Sequence, residues 1–142
     1  MAAAHSGIEL RRLWWIGPLT VGAAIIAVLA VRVIAFLTLD LSPEFPPLGW
    51  GGPIIFTTVL VTLGVLVFAA VARLAADPIR LYRRIAFGAL VASMIPDLYL
   101  PGSGPGATWT AVLVLMVMHV VAWWTTVTIL APATIRPTTG KR

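Results

Sequence analysis

The sequence predicts an all-α membrane protein whose four transmembrane helices cross the bilayer as a compact antiparallel bundle. Three observations predict it. Of 142 residues, 60% are hydrophobic and 11% charged, which leaves too few polar side chains to cover a soluble domain of this length. Four apolar segments, 13–39, 53–76, 78–100 and 107–131, each match the length needed to cross ~30 Å of hydrocarbon at ~1.5 Å per residue. None of them alternates with the period of two that a strand would require. The chain reads as one domain over 1–142, with 132–142 as a tail.

The elements follow in order. "SGIE" reads as a capping box, Ser6 with Glu9, that opens an interfacial lead-in to helix 1 before Pro18. The apolar stretch of helix 1 is longer than the ~7–15 residues of a signal-peptide core, and Arg32 interrupts it, so the helix reads as retained. "LSPEFPPLGWGGP" at 41–53 is rich in proline and glycine and ends that helix. In "ADPIR", Asp77 stands at an N-cap and Pro78 at the first helical position, which starts helix 3 at residue 78. "PGSGPGATW" divides helices 3 and 4, with Thr108 as the cap of the fourth.

Charge sets the orientation. Arg11 and Arg12 precede helix 1, Arg73, Arg80, Arg83 and Arg84 flank the middle loop, and Arg136, Lys141 and Arg142 form the tail. The other two loops carry Asp40, Glu44 and Asp97 without Lys or Arg. By the positive-inside rule both termini and the middle loop are cytoplasmic, and the Pro-rich loop between helices 1 and 2 is extracytoplasmic. Trp14, Trp15, Trp50 and Trp109 fall where interfacial anchors belong.

The same composition excludes several functions. There is no cysteine, which removes disulfides, thiolate metal sites and a Cys nucleophile. The net charge of +5 is spread beside apolar runs and forms no nucleic-acid stripe. The motifs of P-loop, zinc-protease and serine-hydrolase sites are missing, so no enzymatic activity is expected.

Three ionisable side chains fall at membrane depth, where charge is costly and partners are needed. Counting along the helices puts Arg32 roughly 12 Å, Asp97 roughly 5–8 Å and His119 roughly 16 Å below the outer surface. Arg32 and Asp97 are close enough in height to pair, with Asp40 and Glu44 as rival partners for Arg32. His119 has the basicity of a proton carrier or a metal ligand. A metal would need further ligands at a spacing such as i+4, and none is present. No metal or cofactor is expected. Phe45 and Trp50, in the proline-stiffened loop, are placed to form a lid over the Arg32–Asp97 region.

"RRLWWIGPL" at 11–19, "SPEFPPLGW" at 42–50, "SMIPDLYL" at 93–100 and "GATW…LMVMHVV" within 106–121 together resemble a family of small four-helix bacterial membrane proteins of unknown function, common in actinobacteria. The resemblance spans nearly the whole chain. It implies a four-helix fold in a bacterial cytoplasmic membrane and implies no activity.

The expectation is a non-enzymatic inner-membrane bundle that binds an apolar or anionic amphiphilic small molecule, or a partner protein, through its outer half. Arg32, Asp97, His119, Phe45 and Trp50 form the expected site, with Arg32 receiving the anionic group. The alternatives are an accessory subunit of a membrane complex and a small proton-coupled transporter, which with four helices would act as a homodimer. Beyond the lipid bilayer and such a partner or second copy, no nucleic acid is expected.

Overall fold

The computed structural model describes residues 10–133. The Ser6–Glu9 box, His5 and the basic residues Arg136, Lys141 and Arg142 lie outside the described residues. Within them the chain forms four α-helices and no strand: α1 (Leu13–Thr38), α2 (Gly51–Leu74), α3 (Pro78–Met94) and α4 (Trp109–Ala133). Short 3-10 turns occupy Leu10–Arg12, Pro46–Leu48 and Pro96–Tyr99.

The two expected caps that fall within the described residues form. Asp77 Oδ1 accepts a hydrogen bond from the Arg80 backbone N–H at 3.2 Å, with Pro78 next to the cap. Thr108 Oγ1 accepts from the Ala111 N–H at 3.2 Å. These groups satisfy amides that the first helical turn leaves without a partner.

The third helix departs from the expected 78–100. It stops after 17 residues at Met94 because Pro96 has no N–H to bond the carbonyl four residues back. The chain tightens there instead, with Ile95 N–H donating to the Ala92 carbonyl and Leu98 N–H to the Ile95 carbonyl, both at 3.3 Å. Arg80, Arg83 and Arg84 also fill its first two turns. Three segments are therefore long and apolar enough to cross a membrane, namely α1, α2 and Trp109–Leu130 of α4. The fourth helix, α3, is not.

α1 packs on α4 and α2, and α3 packs on α2 and α4. Two core clusters lie at opposite ends. One gathers Leu13, Phe68, Val71, Tyr82, Val127 and Leu130, from the start of α1, the end of α2, the start of α3 and the end of α4. The other gathers Val28, Ala35, Leu41, Phe45, Leu48, Ala111, Val112 and Met118, from the second half of α1, the α1–α2 loop and the first half of α4. The charges divide the same way. Arg11, Arg12, Arg73, Arg80, Arg83 and Arg84, with Asp77 among them, belong to the first end, and Asp40, Glu44 and Asp97, with Arg32, to the second. Outward faces carry Ile26, Leu37, Ile55, Phe56, Leu66 and Leu113 exposed. Apolar surface this extensive is suited to lipid and unsuited to water.

Candidate functional site

The Pro-rich loop is built into the core. Phe45 is 3% exposed and Leu48 is fully buried. Their neighbour across the α3–α4 connection is Gly106, with φ of 71°, a conformation that L side chains rarely adopt. A Cβ there would lie 2.9 Å from Ser42 Cβ and 3.1 Å from Phe45 Cβ. Glycine lets the two loops touch, and the proline ring constraints keep the ordered loop from losing much entropy on docking.

Arg32 binds this loop. Its Nε–H donates to the Leu48 carbonyl at 2.7 Å, and its guanidinium lies 3.9 Å from the Trp50 ring centroid and 4.5 Å from that of Phe36. A planar, weakly hydrated cation is well suited to such a sandwich. The expected Arg32–Asp97 pair is not what forms. Arg32, roughly 9 Å from the end of α1, reaches the loop, while the Asp97 carboxylate meets His119.

Asp97 sits in the 3-10 turn Pro96–Tyr99 and is 6% exposed. His119 Nδ1 lies 2.8 Å from the Leu115 carbonyl and 3.4 Å from Asp97 Oδ2. A carbonyl only accepts, so Nδ1 must carry a proton, and the shorter contact takes it. Asp97 Oδ2 is left buried without a hydrogen bond of its own, a condition that ordinarily costs a folded protein about 1–3 kcal/mol.

Asp97 and His119 share the wall of a cavity of about 420 Å³. Val28 of α1, Pro47 of the loop, Thr57 and Val61 of α2, Ser93 of α3 and Met118 of α4 complete much of the lining. Its walls are almost wholly apolar, and the carboxylate and imidazole are its ionisable groups. A second cavity of about 190 Å³ continues past His119, sharing Leu60, Val61, Ser93 and Ala122 with the first and reaching Tyr82, Trp123 and Thr126. Trp123 Nε1–H is buried there without an acceptor.

Of the five residues expected from the sequence, the structure brings Asp97 and His119 together on one cavity. Arg32 and Trp50 stack on each other beside the loop, Phe45 fills the core, and none of these three lines the cavity. Sequence reasoning passed over Thr57, Ser93 and Pro47. Ser93 stands one helical turn before Asp97, and Leu115 and Ala122 stand one turn either side of His119, so helical spacing alone would have found them. Thr57 carries no such signal, since α2 is placed by packing. Among the described residues no three His, Asp or Glu side chains gather to hold a metal ion.

The chain was compared with known proteins. A family model, described as a family of unknown function (DUF6069), matches residues 8–137. No curated protein and no solved structure matches the chain.

Proposed function

The chain belongs to that family of unknown function, which lends it no activity, and from its own geometry we propose a membrane-embedded binding protein for an apolar small molecule bearing one hydrogen-bond donor. The observation that carries this reading is the buried Asp97 Oδ2 without a hydrogen bond on the wall of an apolar cavity of about 420 Å³. That volume falls in the range of small-molecule sites, roughly 300–1,000 Å³. A carboxylate oxygen and the Nε2 of a neutral imidazole are both acceptors, so a hydroxyl or amine head complements them. An anionic head loses its support, because Arg32 is engaged with Leu48, Phe36 and Trp50 away from the cavity.

In this reading the protein lies in a bacterial cytoplasmic membrane with its arginine-rich end inside, in keeping with the positive-inside rule. α3 with its 3-10 extension reaches roughly 33 Å, enough to complete a fourth crossing and return both termini to the cytoplasm. Transport is a second reading. It is favoured by one observation, that His119 lines both cavities, which makes it a relay point between the two ends. An accessory subunit, the remaining alternative, would use the same residues only as interhelical contacts.

The test is thermal unfolding in lipid nanodiscs with n-decanol or n-decane added to wild type, Asp97→Leu and Leu115→Trp. The expected result is that decanol stabilises wild type, decane does so less, and both variants lose the difference. Equal shifts by both probes in all three proteins would mean simple partition into lipid, and the binding reading would be dropped.

A further inference from the structure

A second cluster of charge lies at the arginine-rich end, sharing no residue with the cavity. α3 is the least enclosed helix, with Pro78 and Tyr82 its only buried residues. Its positions 80, 83, 84 and 87 follow the i, i+3, i+4, i+7 spacing of one helix face. There Arg80, Arg83, Arg84 and Phe87, with Asp77 and Ile79, line a surface pocket of about 400 Å³. Asp77 is the lone carboxylate in the lining, and one of its oxygens is occupied by the Arg80 backbone N–H. The guanidinium groups therefore outnumber the acid.

The apolar part of the pocket is placed for a chain. Phe87 stands two turns past Arg80, roughly 10 Å deeper along α3. It is 56% exposed, and its ring meets Trp123 of α4 edge to face at 6.1 Å. Cations at the membrane surface with exposed aromatic surface roughly 5–10 Å below them match the order of groups in a phospholipid, phosphate first and acyl chain beneath. A soluble anion would use the arginines and leave Phe87 unexplained. The position of the patch also fits, at the end that collects Arg11, Arg12 and Arg73, where anionic lipid of the cytoplasmic leaflet would be met.

We propose that the face of α3 formed by Arg80, Arg83, Arg84 and Phe87 binds one anionic phospholipid, with its phosphate held by the three guanidinium groups and an acyl chain against Phe87. The phosphate accepts from donors suited to bidentate contact, and the site selects charge in the head without reading its further structure.

The experiment is native mass spectrometry of the full chain from micelles holding equimolar phosphatidylglycerol and phosphatidylcholine. Compared with wild type are R80Q/R83Q/R84Q, the equal-charge control R11Q/R12Q/R73Q, and Phe87→Ala. Wild type is expected to retain phosphatidylglycerol in preference, and R80Q/R83Q/R84Q to lower that preference roughly tenfold or more. The control should keep most of it, and Phe87→Ala should weaken retention of phosphatidylglycerol. Glycerol phosphate, which has the head without chains, should not displace the lipid. Equal losses in both triple variants would reduce the effect to diffuse charge and overturn the proposal. So would absence of preference in wild type, or displacement by glycerol phosphate. The substituted arginines are exposed, so these variants keep the folded protein. The readout does not involve Asp97, and the cavity reading stands or falls separately.

Discussion

Removing Asp97 and each of its two conceivable partners asks which one the carboxylate answers to. The variants are Asp97→Ala, His119→Ala, Arg32→Ala and the two double variants that include Asp97. Asp97 Oδ2 and His119 Nδ1 are 3.4 Å apart, longer than the 2.7–2.9 Å of a strong charge-assisted bond. Because Nδ1–H is already given to the Leu115 carbonyl, their coupling is that of a close contact without a hydrogen bond of its own and should be favourable but below the roughly 0.5–1.5 kcal/mol of an ordinary net hydrogen bond. Arg32→Ala alone is more costly. It removes a cation's hydrogen bond to the Leu48 carbonyl and stacking on two rings, together about 2–4 kcal/mol. Yet Arg32 and Asp97 share no partner, so their effects should add to within about 0.5 kcal/mol. The assay is reversible unfolding in mixed micelles, read by tryptophan fluorescence, with coupling taken from each double-mutant cycle. A coupling above about 1 kcal/mol between Arg32 and Asp97, with none between Asp97 and His119, would refute the assignment of partners made above.

Other consequences follow from the same geometry. Asp97→Leu, which replaces a buried oxygen lacking a hydrogen bond with an apolar group, should leave the unliganded protein equally stable or more stable by up to about 3 kcal/mol, measured in the same micelles. Phe45→Ala empties a position 3% exposed and should cost about 3–5 kcal/mol; an exposed lid residue would cost almost nothing. Gly106→Ala meets both a left-handed φ and a 2.9 Å contact, and should destabilise by more than about 1 kcal/mol. Gly22→Ala, in open space inside α1, should instead gain about 0.5–1 kcal/mol. Because the native chain has no cysteine, single cysteines at Ala76 and Ser103 report orientation through impermeant maleimide. Ala76 should label from the cytoplasm and Ser103 from outside, and labelling of both from one side would show that α3 does not cross.

Much of the fold was legible before any coordinate was known. Asp77 followed by Pro78 and Thr108 before Trp109 marked two helix starts, because capping is decided by neighbouring residues. The end of α3 falls at Met94, several residues before the expected 100. An apolar run continues through Ile95, Leu98, Tyr99 and Leu100, and hydropathy does not register a missing N–H. The candidate site was read from height along the helices alone, which leaves azimuth open. Arg32 and Asp97 were matched by depth, but the rotation of α1 carries Arg32 to the loop. The same rotation makes Gly17, Thr20, Ala24 and Val28 the buried stripe of α1.

The sequence by itself determined that the chain is helical, that it holds apolar segments long enough to cross a membrane, that most of its arginines flank one side of those segments, and that a carboxylate and an imidazole lie among apolar residues. These are properties of composition and of short-range spacing, and each can be summed along the chain. Only the tertiary structure decided that His119 meets Asp97, that Phe45 is core, and that Arg32 ties down the loop. Such contacts depend on how each helix is turned about its own axis. That turn is set by the packing of all the helices at once, because a few tens of degrees, invisible in any hydropathy sum, moves a side chain from one neighbour to the next.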